Sequence, residues 1–143
     1  MKTVFIGGWA TGEDVWRSVV PMVENCSYLP WQRVLTGNYV LPDRCILAGW
    51  SLGGQLAMEM SRYPQVRGLV LVSSMSCLAK KGTRPGVEPE KLQEIETMLA
   101  RSRRGYLRRF FRECGAGNHI LEDLLGGAGD FTGEELVSGL RHM

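Results

Sequence analysis

Residues 45–60, CILAGWSLGGQLAMEM, set the tightest limit on the fold. A strand-sized apolar run reaches Gly49, passes through Trp50 and Ser51 to Leu52, Gly53 and Gly54, and resumes with a helical pattern. A chain that turns from strand to helix this sharply must bring the two backbones close, and residues without a Cβ allow it. The serine at the apex is then held in a strained conformation. Its hydroxyl projects from the carboxyl end of the sheet, where open α/β folds place their sites. Gly49, Ser51 and Gly53 fit G-x-S-x-G between a strand and a helix, the context a nucleophile turn demands. The Leu52 N–H points at the same space and can hold an oxyanion, and the helix N-terminus favours negative charge there. The plainer reading makes Ser51 a helix N-cap with turn glycines around it.

The flanking sequence repeats the alternation. Residues 3–6 (TVFI) read as a buried strand stopped by Gly7 and Gly8. A turn after that strand could supply a second oxyanion donor from the Trp9 N–H. Thr11 or Asp14 could cap a following helix with Val15, Trp16, Val19, Val20 and Val23 on its apolar face, interrupted at Pro21. Residues 26–44 carry little pattern beyond a weak strand at residues 31–35. Residues 45–48 and 66–73 read as buried strands, with a helix over 55–62 ending before Pro64. Short all-apolar strands alternating with helices predict a mostly parallel sheet flanked by helices, an α/β fold. Residues 78–90 form a Pro/Gly connection. A helix is expected from Pro89 to Arg112, divided at Gly105, and a shorter one over ILEDLL.

Composition excludes several classes. The chain has 143 residues, suited to one domain, and its net charge of +2 selects no partner. The four cysteines, at 26, 45, 77 and 114, show no C-x-x-C spacing, and there are two histidines. Neither a zinc site nor a disulfide framework is expected, and free thiols suit a reducing cytoplasm. No transmembrane run is present. Charge is uneven: residues 80–114 hold ten basic and five acidic side chains, and residues 115–143 hold one and five.

Three stretches resemble a known family. GGWATGEDVWRSVV, LAGWSLGGQLA and LVLVSSMSCLAKKGTRPGVEPEKL are similar to the α/β-hydrolase superfamily. More narrowly, they resemble the pimeloyl-acyl-carrier-protein methyl ester carboxylesterases of biotin synthesis. The resemblance implies a partial α/β-hydrolase fold, with residues 1–78 as the N-terminal core and 79–143 as a helical lid. It implies Ser51 as nucleophile, an oxyanion hole from the N–H groups of Trp9 and Leu52, and Trp50 walling the acyl pocket. It implies a serine esterase needing no metal or organic cofactor, with an ester carried by an acyl carrier protein as substrate. A thioesterase or a broad short-chain esterase fits the same turn. So does a non-catalytic module that binds the carrier.

The sequence departs from that family in four ways. Gly7 stands where the family has histidine, and residues 26–44 are short for a strand plus crossover helix. The later strands carrying an acid and a histidine are absent, which predicts an uncovered sheet edge. A serine hydroxyl needs a base within reach. His119 and His142, with Asp123 and Asp130, are the groups at hand, and none occupies the family's position. The chain ends inside a helix-like stretch, which predicts a fragment of a longer hydrolase rather than a naturally short protein.

Residues 101–112, RSRRGYLRRFFR, hold six arginines and no acid. On a single helix Arg101, Arg104, Arg108 and Arg112 fall within about 80° of one another. Such like charges repel unless an anion is near. The resemblance makes that anion an acidic acyl carrier protein. The alternative is a solvated face. No recognition motif for nucleic acid accompanies the arginines, and too few apolar residues back them for a membrane surface.

Overall fold

In the computed structural model, which describes residues 1–83 and 85–143, the alternating pattern becomes a four-stranded parallel sheet. Strands β1 (Lys2–Ile6), β2 (Cys26–Tyr28), β3 (Cys45–Trp50) and β4 (Val66–Val72) lie in the order β2-β1-β3-β4. Thr3 pairs with Cys26, Val4 with Leu47, and Leu47 with Leu69. The central strands bury Val4, Phe5, Ile6, Leu47 and Ala48, as β-rich apolar runs should. Phe5 and Ala48 share one face and pack on Trp16, with the Phe5 and Trp16 ring centroids 4.8 Å apart. Helix α2 (Leu52–Met60) runs along β3 and β4 and buries Leu52, Leu56, Ala57 and Met60.

Three expectations need correction within this unit, Met1–Ser76. The segment after Gly12 is two short 3-10 turns, Glu13–Trp16 and Val20–Met22, rather than one amphipathic helix. No side chain caps its start, and Pro21 and the β-branched valines disfavour continuation. Residues Trp31–Leu35 form helix α1, not a strand; the helix begins after Pro30 and buries Trp31 completely. The strand in that interval is β2, and residues 29–44 suffice to carry the chain from β2 past β1 to β3.

The third correction concerns β4. Its all-apolar sequence predicts burial, yet Leu69, Val70, Leu71 and Val72 are 36–51% exposed. Side chains alternate between faces, so Leu69 and Leu71 are open on one face and Val70 and Val72 on the other. β4 is also an outer strand, as expected of a sheet with an uncovered edge.

The second unit, Cys77–Met143, is helical. A parallel bridge between Ala79 and Val87 opens it, closed by hydrogen bonds from Lys80 N–H to the Val87 carbonyl (2.9 Å) and Val87 N–H to the Leu78 carbonyl (2.8 Å). Helices α3 (Pro89–Glu113), α4 (Asn118–Ala128) and α5 (Gly133–His142) follow. Their buried residues include Leu99, Leu107, Phe111, Leu121, Leu125, Leu136 and Leu140. α3 breaks at Ser102, not at Gly105: Ser102 leaves the helical region (φ −158°, ψ 84°) and its hydroxyl accepts the Gly105 N–H at 3.3 Å. Ser102 thus caps the second half of α3. α5 begins with a reciprocal capping box between Thr132 and Glu135.

A groove of about 560 Å³ between α3 and α5 is lined by Leu99, Ala100, Val137 and Glu134, among others. At its rim Arg141 donates to both Glu96 carboxylate oxygens, each at 2.8 Å. These hydrogen bonds hold the Glu96 carboxyl below its usual value of 4.5. A depressed folded pKa stabilises the fold above the unfolded value, and that contribution is lost as pH falls through the folded value. Arg141→Gln should return Glu96 toward 4.5, so that its stabilising contribution above that pH disappears and the acid-side loss it causes shrinks. Carboxyl NMR titration of Glu96 in the two proteins checks it.

Candidate active site

The strand–helix junction is built on three close backbone approaches. A Cβ on Gly53 would fall nearer than 3.0 Å to the carbonyls of Ile6 and Gly7, and one on Gly49 equally close to the backbone of Gly53 and Gly54. A Cβ on Gly54 would overlap the side chain of Ser74. α2 can therefore start directly over the end of β1 only because these positions are glycine. Ser74, just past β4, donates to the Val72 carbonyl at 3.0 Å and lies 3.4 Å from the Gly49 carbonyl. Sequence reading missed this buttress. Two adjacent serines after a strand carry no signal until Gly54 is seen against them.

Ser51 takes φ 53° and ψ −119°, a region L-residues rarely adopt. Such strain costs about 1–3 kcal/mol and persists only where the surroundings enforce it. Its N–H donates to the Val72 carbonyl at 3.0 Å, and its own carbonyl accepts from Gly54 and Gln55 N–H at 3.0 and 3.2 Å. Ser51 occupies the N-cap position of α2, as the plainer reading has it, but its side chain makes no capping hydrogen bond and its backbone is not in the extended conformation usual for a cap. Leu52 opens α2, where first-turn N–H groups lack acceptors within the helix.

The loop after β1 lies against this apex. A Cβ on Gly8 would sit 3.3 Å from Ser51 Cβ and 3.1 Å from Trp50 Cε3. Residues 8–11 form a tight turn: the Thr11 N–H and hydroxyl both donate to the Gly8 carbonyl, at 3.1 and 2.8 Å. Ala10 sits in it at φ 59°, fully buried, and Trp9 is buried beside it. The structure thus brings Trp9, Trp50, Ser51 and Leu52 together at the carboxyl end of β1 and β3.

Among the described residues the Ser51 hydroxyl has no hydrogen-bond partner, and residues 1–76 contain no histidine. His119 lies on α4, against Gly117, and His142 in the last turn of α5. Asp123 is on α4, and Asp130 lies between α4 and α5. Among the described residues no group of three His, Cys, Asp or Glu could hold a metal ion.

The arginines of α3 are divided by the break at Ser102. Arg101 precedes it, so the four do not share one uninterrupted helical edge. Arg104 and Arg108 both reach Glu122 of α4, at 3.1 and 2.8 Å. The anion expected near the stripe is, for these two, a carboxylate of the same unit. Arg101 and Arg112 have no ion-pair partner among the described residues.

Sheet order, parallel register and the strained serine turn define the class: the chain has part of an α/β-hydrolase fold. It superposes on a hydrolase from Oleispira antarctica with a TM-score of 0.71 at 11% identity, covering 97% of this chain and 63% of that one. It superposes on BioG from Haemophilus influenzae with a TM-score of 0.64 at 17% identity, covering 98% and 64%. Its sequence relatives are more particular. It is 29% identical over 131 residues to the pimeloyl-[acyl-carrier protein] methyl ester esterase of Wigglesworthia glossinidia brevipalpis, over 78% of this chain and 51% of that protein. The protein of the same name from Edwardsiella ictaluri is 31% identical over 116 residues, 67% of this chain and 45% of its own length. That from Shewanella woodyi is 39% identical over 74 residues, 49% and 29%. The chain spans about half the length of the curated relatives it matches. No protein-family profile matches it.

The junction glycines differ in what they touch, and substitution should separate them. Gly53→Ala meets main-chain carbonyls that cannot move aside, and should cost about 3 kcal/mol or more whatever else is changed. Gly54→Ala meets chiefly the Ser74 side chain, so Ser74→Gly should recover most of its loss. Urea unfolding midpoints of the single and double variants measure both.

Proposed function

We propose that the chain is the N-terminal core and lid of a serine carboxylester hydrolase, with residues 1–78 as core and 79–143 as lid. The substrate class is the methyl ester of a dicarboxylic acyl chain on acyl carrier protein, as in biotin synthesis. The observation that carries this reading is the positive φ of Ser51 at the strand–helix apex, with the Gly8 turn against it. The names of the sequence relatives support the substrate class. In the proposed reaction Ser51 Oγ attacks the ester carbonyl, and the N–H groups of Trp9 and Leu52 stabilise the tetrahedral oxyanion. Trp50 walls the acyl pocket. The base that takes the hydroxyl proton is a histidine outside residues 1–76, oriented by an acid. The turn does not choose the leaving group, so thioester and short-chain ester hydrolysis remain within the same chemistry.

A second reading draws on the missing histidine in the unit that holds Ser51. In it the chain binds acyl carrier protein without turning over ester. Arg101 and Arg112 would contribute most there, because Arg104 and Arg108 already face Glu122.

In the protein expressed from its full reading frame, a fluorophosphonate should label the wild type and leave Ser51→Ala unlabelled. Equal labelling of both removes Ser51 as nucleophile. Carrier binding is a separate measurement: Arg101→Glu with Arg112→Glu should weaken a salt-sensitive titration with acyl carrier protein by about tenfold. An unchanged titration removes the arginines from the interface.

A further inference from the structure

The turn that carries Trp9 is held by a side chain from a different strand. Tyr28 ends β2 opposite Phe5 of β1, and the Leu29 N–H donates to the Phe5 carbonyl at 2.9 Å. That register places the Tyr28 ring beside the residues that follow Ile6. Its hydroxyl accepts the Gly7 N–H and lies 3.4 Å from the Thr11 carbonyl, to which it donates. A Cβ on Gly7 would come within 3.0 Å of both the Tyr28 hydroxyl and Thr11 Oγ1, and within 3.2 Å of the Gly12 carbonyl. The phenol tip therefore fills the space a side chain at position 7 would take.

We propose that the Tyr28 hydroxyl is the positioning residue of the turn over residues 7–11, bridging its two ends and setting Trp9 against Ser51. The inference rests on the reading of the Trp9 N–H as an oxyanion donor. The backbone preferences of the turn do not by themselves fix its place. Ala10 is strained at φ 59°, and Gly7 and Gly8 are the most permissive residues a backbone can have. Thr11 ties the turn only to itself, through the Gly8 carbonyl. Tyr28 ties both ends to the sheet. Burial, and then the Glu13 carboxylate, push the phenol above its usual pKa, so it keeps the proton it donates.

Tyr28→Phe keeps the ring and removes both hydrogen bonds. Amide hydrogen exchange at Thr11 should then speed about tenfold while β3 amides keep the wild-type rate, a local opening rather than a global one. In the full-length protein kcat should fall about tenfold or more with KM little changed, as expected when an oxyanion donor is misplaced. Gly7→Ala should also speed Thr11 exchange, and the two substitutions together should give less than the product of their separate effects, because both act on one contact. Unchanged Thr11 exchange in Tyr28→Phe overturns the proposal. So does equal acceleration at Thr11 and in β3, or simple multiplication in the double variant. Exchange does not depend on turnover, so it judges Tyr28 even where fluorophosphonate labelling rejects Ser51 as nucleophile.

Discussion

The first unit is organised around the contact of Gly53 with the carbonyls of Ile6 and Gly7. Backbone against backbone is the closest packing a protein interior allows. Here it lets the first turn of α2 lie directly against the ends of both β1 and β3. The position of the helix then dictates the rest. Ser51 must reverse the chain in the one residue left between β3 and α2, which forces its positive φ. The loop after β1 must turn away at once, which gives the tight turn over residues 8–11. Strain at Ser51 and Ala10 is thus a consequence of one steric permission.

Much of this was legible in the sequence, for identifiable reasons. β1 and β3 carry short apolar runs, TVFI and CILA, each ended by glycine, and in alternation with helical segments such runs read as buried parallel strands. The glycines around Ser51 are spaced as the strand-to-helix turn requires. What failed to show was whatever depended on neighbours distant in sequence. β2 is three residues long and half-buried, too short for a period to appear. Trp31–Leu35 has β-like residues but follows Pro30, and its helix is settled by burying Trp31. The division of α3 was visible as a defect at Gly105, yet the backbone leaves the helix at Ser102, because a serine hydroxyl can satisfy the N–H three residues on.

The site shows the same division. Trp9, Ser51 and Leu52 follow from local turn chemistry and Trp50 from the family resemblance, and the fold brings them to one end of the sheet. Tyr28 and Ser74 could not be found that way. Each matters through what it touches on elements distant in sequence: Gly7 and Thr11 for Tyr28, Gly49 and Gly54 for Ser74. The arginines illustrate the opposite error. A helical wheel drawn through residues 101–112 joins charges that the break at Ser102 separates, and it omits Glu122, which lies on the next helix.

The open face of β4 has a kinetic consequence. A strand with apolar side chains on both faces and unpaired backbone along one side will pair with whatever complementary strand arrives first. Covering by a segment of the same polypeptide proceeds at a rate independent of concentration. Pairing with a second copy grows with the square of concentration. The two processes cross at some level of expression, and above it newly made chains meet each other sooner than they are covered. Wherever β4 is left uncovered, the yield of dispersed protein therefore depends on synthesis rate as well as on the stability of the folded sheet.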